Sequence, residues 1–154
     1  MGPMGAMGRR GWVAAGAALL LAGAGLWATR DGGGEGDDPS ARARVYAARI
    51  GLPLPAGTRV VFAEWTTGLD DSARLSFVTP EAAWASLRAG MPTLTFETQN
   101  NFHLGRNRHA WRPESAPGLT TAQVRWRDRA EYMNIGVAPL GTGEVLIFLF
   151  WHQV

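Results

Sequence analysis

Beyond residue 57 the chain is dominated by alternation of apolar and polar positions. Thr58 to Thr66 is rich in Val, Phe and Trp, side chains that suit a pleated surface, and predicts a strand. Gly68-Leu-Asp-Asp71 is a turn. In Ser72 to Val78, Ala73, Leu75 and Phe77 fall on one side and Arg74 and Ser76 on the other. That is the period of a half-buried strand, and the pair predicts an antiparallel hairpin. Three more strands follow. In Gln123 to Arg127, Val124 and Trp126 oppose Arg125 and Arg127; in Tyr132 to Ala138, Met133, Ile135 and Val137 oppose Tyr132 and Asn134. Gly141-Thr-Gly143 turns the chain into Glu144 to His152, which is apolar on both faces, with Leu146, Phe148 and Phe150 on one. A strand of that kind belongs in the middle of a sheet.

Two segments carry the helical period instead. Ser40 is placed to cap a short helix, Ala41 to Ile50, in which Tyr46 and Ile50 share a face. Leu52-Pro-Leu-Pro-Ala-Gly57 is then extended, because each Pro disfavours helix at the residue before it. Thr79-Pro80-Glu81 is a helix start, with a capping hydroxyl, Pro in the first turn and an early acid. That helix reaches Ala89 with an apolar stripe of Ala83, Trp84 and Leu87, and Gly90 closes it. Met91 to Gly118 has weak periodicity; Thr93 to Thr98 is a candidate strand, and the rest is a polar loop. A loop that long is either functional or hides an element. The expected architecture is α+β: an N-terminal transmembrane helix, then a mostly antiparallel sheet of about five strands with helices packed on one face.

The N-terminus reads differently from everything after it. Gly11 to Thr29 is an uncharged stretch of 19 residues between Arg10 and Arg30, and Trp12 and Trp27 lie near its ends. As a helix it reaches about 28 Å, close to the hydrocarbon thickness of a bilayer. Arg9 and Arg10 precede it, and Arg30, Asp31, Glu35, Asp37 and Asp38 follow. The basic side stays in the cytoplasm, so the expected layout is a cytoplasmic N-terminus at 1–10, a transmembrane anchor or signal segment at 11–29, a flexible acidic linker at 30–40 and an extracytoplasmic domain at 41–154. The alternative localisation is secretion after cleavage near Ala24, where Ala22-Gly23-Ala24 offers a small-x-small site.

Composition narrows the chemistry. The chain has no Cys, which excludes disulfides and Cys-based metal or redox sites. All 15 basic residues are Arg. From Pro39 onward 12 Arg face 9 acids, a net charge of +3, which does not by itself imply nucleic acid, and no nucleic-acid partner is expected.

The run Gly51-Leu-Pro-Leu-Pro-Ala-Gly-Thr, then Gly68-Leu-Asp-Asp-Ser-Ala-Arg-Leu-Ser-Phe and a Pro-led helix, resembles uncharacterised actinobacterial lipoproteins and membrane-anchored proteins. The resemblance covers about residues 45 to 90. It implies an envelope location and a small α+β domain behind a linker, and carries no activity or functional residue with it. The chain departs from the pattern by lacking the lipidated Cys.

No catalytic constellation, metal site or cofactor is expected. His103 and His109 could be joined by Glu97 or Glu114, but their spacing follows no zinc signature. Asp70 and Asp71 are adjacent, so a strand would turn them to opposite faces, and acids are common in hairpin turns. The distinctive chemistry is Arg interleaved with aromatics, in Arg106-Asn-Arg-His-Ala-Trp-Arg112 and in Arg125-Trp-Arg-Asp-Arg129. Such groups bind anions through charge-assisted hydrogen bonds. Arg106, Arg108, Trp111 and Arg112 are the expected ligand-binding residues. The expected function is a non-catalytic extracytoplasmic binding module tethered to the cell membrane, recognising an anionic envelope polymer, a lipid headgroup or a protein partner. The alternative is an envelope hydrolase using the 97–114 loop.

Overall fold

The computed structural model describes residues 38–98, 104–127 and 130–154. The expected anchor at 11–29 and most of the linker lie outside the described residues, as does His103. Among the described residues no helix is long and apolar enough to cross a membrane.

The folded part is an α+β domain. Helix α1 spans Pro39–Arg49, strands β1 Arg59–Thr66 and β2 Ser72–Pro80, helix α2 Glu81–Ala89. Strands β3 Glu97–Thr98, β4 Thr120–Arg125, β5 Glu131–Pro139 and β6 Glu144–Gln153 complete it. The six strands form one sheet in the order β1-β2-β6-β5-β4-β3, antiparallel throughout. The doubly apolar β6 lies between β2 and β5, as its pattern requires. The sixth strand is the two-residue β3, all that forms of the candidate strand at Thr93 to Thr98.

Both helix starts differ from the sequence reading. Asp38, not Ser40, caps α1: its carboxylate accepts the Ser40 N–H at 2.9 Å, and Pro39 opens the helix where a missing N–H costs nothing. At α2, β2 runs straight into the helix at Pro80, and Thr79 is buried instead of capping. The Gly143 carbonyl, in the turn between β5 and β6, accepts the Glu81 N–H at 2.9 Å. A long-range backbone group thus does the work expected of a local hydroxyl.

One sheet face packs on the helices. Leu75, Phe77, Met133, Ile135, Ile147, Leu149 and Trp151 form that core with Ala43, Ala47 and Ile50 from α1 and its end and Trp84 from α2. Arg127 pins this layer. Its guanidinium forks onto Glu131 with two contacts of 3.0 Å and reaches the Arg49 carbonyl at the end of α1 at 3.2 Å. The buried Glu131 also accepts from Trp151 Nε1 at 3.1 Å, and Trp126 Nε1 donates to the Ile50 carbonyl at 2.6 Å. A bidentate pair of this kind is specific as well as strong.

The segment expected to be a polar loop has its own core. Leu104, Trp111 and Leu119 are buried and pack on Ala138 and Phe148, with Phe62 and Leu146 beside them. These contacts lie on the sheet face away from the helices. The stretch from Leu104 to Leu119 is therefore a roof over part of that second face.

Candidate functional site

The strand registers arrange the second face in rows. Thr66 pairs with Ser72, Ser72 with His152, His152 with Tyr132 and Tyr132 with Arg125. The next row runs Glu64, Arg74, Phe150, Asn134, Gln123. The third runs Phe62, Ser76, Phe148, Gly136, Thr121. Directly opposed residues in an antiparallel sheet share a face, so these rows are contiguous surfaces. The roof covers the third row and beyond. In the first two rows Glu64, Ser72, Arg74, Tyr132, Phe150 and His152 are half-buried, and Gln123 and Arg125 are exposed.

The side chains of this open half are joined to one another. Arg74 donates to Glu64 at 3.2 Å, and its guanidinium lies 4.5 Å from the Phe150 ring centre. Phe150 and His152 are near-parallel rings 5.1 Å apart, and His152 and Tyr132 are near-parallel at 5.7 Å. Beneath them Asn134 is buried; Gln123 Nε2 donates to its carbonyl oxygen at 2.8 Å, and its own amide nitrogen lies 3.5 Å from His152 Nδ1. Burial lowers the His152 pKa below its ordinary 6.5, and the carboxylate of Asp70 works in the opposite direction. A neutral imidazole that accepts at Nδ1 carries its hydrogen on Nε2, so this ring offers a donor. The surface is thus a strip of rings flanked by an ion pair on one side and an amide on the other.

The residues expected to bind are divided by the fold. Arg106, Arg108 and Arg112 are exposed on the roof. Trp111 is not beside them on the surface. It is fully buried, edge-on to Phe148 at 5.3 Å, and its Nε1 donates to the Leu104 carbonyl at 3.1 Å. The mixed composition of the segment hid one amphipathic element: its Arg residues face water because Trp111 faces the sheet. Arg108 and Trp111 close a two-residue turn through reciprocal N–H to carbonyl bonds of 2.8 and 2.7 Å. His109 lies in that turn with φ of 45°, the left-handed region that a non-glycine residue seldom occupies. Asn107 holds the roof's other end, accepting the Glu114 N–H at 3.1 Å and donating to Ser115 at 3.2 Å. In the second Arg cluster, Arg127 is occupied by Glu131 and the α1 carbonyl, while Arg125 falls on the rim of the open half. The strand ends at Arg125, so the two do not share the outward face that alternation predicted.

Glu97 and Glu114 are exposed, on β3 and on a short turn of 3-10 helix at Pro113–Ser115. Among the described residues no group of three His, Asp or Glu could hold a metal ion. A shallow groove of about 630 Å³ lies on the helix side, between α2 and the ends of β4 to β6, lined by Trp84, Arg88, Thr120 and Val137. It contains no paired acids or histidine.

Sequence reasoning missed the open half as a site. The outward positions of Tyr132, Asn134 and Arg74 were legible from alternation, but alternation does not say which strands are neighbours. Only the order β1-β2-β6-β5-β4 brings Glu64, Arg74, Phe150, Asn134 and Gln123 into one row. Compared with protein-family models, curated proteins and solved structures, the chain matches none.

Proposed function

We propose that the folded domain is a non-catalytic binding module, held outside a cell membrane by the N-terminal segment, and that it takes its ligand on the open half of the second sheet face. The observation that carries this reading is the contrast within that face: the third row is roofed by Leu104, Trp111 and Leu119, while the first two rows hold partly exposed rings and hydrogen-bonding groups. Partly exposed rings flanked by a few fixed polar groups are what a recognition surface needs. Binding is favoured over catalysis because the charged pair Arg74–Glu64 is matched and the His152 ring is tied to Asn134. The charge asymmetry around residues 11–29 supports the outside location.

The test is retention of purified envelope material, wall polymer and membrane vesicles separately, by the full chain in neutral nanodiscs. Retention that falls in Tyr132→Ala and Gln123→Ala but not in Arg108→Gln supports the open half. Retention unaffected by both of the first two variants overturns it.

A second reading has its own observation. Arg106, Arg108 and Arg112 remain exposed on the roof, within seven residues, and suit an anionic partner without help from Trp111.

A further inference from the structure

We propose that the outer edge of β1 is an interface with a second copy of this chain: the two β1 strands pair antiparallel across a two-fold axis, with Arg59 of each copy opposite Glu64 of the other. Such a pairing goes beyond the binding reading above and does not depend on what the open half takes.

The two edges of the sheet are finished differently. β4 carries β3 along part of its outer side. β1 pairs with β2 alone, and among the described residues no other backbone hydrogen bond reaches Arg59–Thr66. Helix α1 covers the face of β1, through Tyr46 on Trp65, and makes no backbone bond to it. The outward N–H and C=O groups of β1 are thus a template for a further strand. Pro and Lys are usual guards of such an edge, and β1 contains neither. Its residues from Val60 to Trp65 are all half-buried.

A bulge decides which strand fits that template. The register of β1 on β2 shifts between Val60 and Phe62. Val60 opposes Phe77 and Ala63 opposes Leu75, on the helix side; Arg59 opposes Val78, Phe62 opposes Ser76 and Glu64 opposes Arg74, on the second face. Arg59 and Glu64 are an odd number of positions apart, which regular alternation would put on opposite faces. The extra residue, Val61, puts them on the same one. A strand with opposite charges towards its two ends on one face is complementary to itself when turned end for end. With Arg59 opposite Glu64 of the second copy, Val60 falls opposite Ala63, so like faces meet, and the two-fold axis repeats each contact. Arg59 is exposed, and among the described residues no ion pair engages it. The Glu64 side chain accepts from Arg74 at 3.2 Å and is still 34% exposed, so its carboxylate has room for a second cation.

The full chain would be purified in neutral detergent micelles and its mass followed by analytical ultracentrifugation from high to low concentration. We expect a dimer that dissociates on dilution. Arg59→Glu sets like charges opposite each other twice per dimer and should weaken association about tenfold or more, with little change in the thermal unfolding of the monomer. Arg44→Glu makes the same charge change on the exposed side of α1 and should leave association unaltered. The chain has no Cys, so introduced thiols report the register. A mixture of Val60→Cys and Ala63→Cys copies should cross-link on mild oxidation, because directly opposed residues come within disulfide reach, whereas Ala63→Cys copies alone should not. Should either Cys variant fail to fold, amide exchange of the parent replaces the cross-link: β1 amides should gain protection as concentration rises, and unchanged exchange overturns the pairing. A chain that stays monomeric at the highest concentration overturns the dimer. A dimer that ignores Arg59→Glu and gives no mixed cross-link meets through another surface and overturns the β1 pairing. A monomer whose β1 amides are protected only when envelope material is added has a partner's strand at that edge, which also overturns the second copy.

Discussion

The two halves of the second sheet face are made by the same strands and have opposite fates. Along β6, Leu146 and Phe148 pack with the roof, Phe150 packs at its edge with one part exposed, and the half-buried His152 follows it. Along β5, Gly136 and Ala138 lie under the roof, while Tyr132 and Asn134 do not. The difference is one of side-chain volume and polarity. Leu104 sits so close to Gly136 that an added Cβ would come within 2.6 Å of its Cδ1 atom, and within 3.1 Å of Leu119 Cδ1. The roof therefore docks where the sheet is smallest, and seals apolar rings against it. Tyr132 and Arg74, both half-buried, leave no such depression, and covering them would strand hydrogen-bonding groups that water can otherwise satisfy. A single face thus divides into a sealed half and an open half within two residues of each strand.

The contrast breaks most severely at Trp111. Trp111→Ala removes the largest fully buried side chain of the domain and should cost about 3–5 kcal/mol in chemical denaturation, as other buried aromatic truncations do. Phe148→Ala should cost a similar amount. Because their rings meet edge-on at 5.3 Å, the double variant should cost less than the sum by about 0.5–1.5 kcal/mol. A loss below about 1 kcal/mol at Trp111 would mean that the roof contributes little to the fold.

Gly136→Ala tests the same boundary by filling it. The nearest atoms are the ends of two leucine side chains, which can rotate, so the effect should be smaller, about 1–3 kcal/mol. The roof should loosen selectively: amide exchange should quicken from Leu104 to Leu119 while the helix-side core keeps its protection. Uniform destabilisation would show that roof and sheet unfold as one unit.

Which parts of this division were legible beforehand follows from the range of the interactions. Alternation gave β2, β5 and β6 nearly to the residue, and the central place of β6, because burial on one face or two is written locally in each strand. The caps were misread at Ser40 and Thr79 because Asp38 and the distant Gly143 carbonyl supply the contacts. Trp111 was grouped with its Arg neighbours by proximity in sequence. A segment of 16 residues that turns twice has no fixed period, so nothing local separates its buried ring from its exposed charges. The open half needed the register of five strands at once. The expectation of an anion site therefore rested on the three Arg residues alone, and the ring that was to accompany them belongs to the core.

A smaller effect sharpens the comparison from the open side. The folded-state pKa of His152 lies below its unfolded value, so the unfolded chain binds more protons as the solution is acidified. Stability from this group is complete above about pH 6.5 and declines as pH falls through the lower folded value. Protonation also turns Nδ1 from acceptor to donor, against the Asn134 amide nitrogen 3.5 Å away. His152→Gln should flatten this part of the pH–stability curve while leaving the neutral-pH value nearly unchanged. An unchanged slope would place the acid sensitivity elsewhere.

The smallest change in stability is expected on the outer surface of the roof. Arg106, Arg108 and Arg112 are all exposed, and exposed charges contribute little to folding, so replacing all three with Gln should cost roughly 1 kcal/mol or less in total. The same variant is the sharpest test of the anion reading. If the roof recognises an anionic polymer or headgroup, the full chain should bind such a probe at low salt. That binding should fall as salt is added, because exposed charges are screened over about 8–10 Å at physiological ionic strength. The triple variant should then lose it while keeping whatever the open half binds, since Leu104, Trp111 and Leu119 supply the roof's apolar packing on the sheet. Undiminished anion binding in the triple variant would remove the roof from the function and leave Arg125, on the rim of the open half, as the next cation to replace.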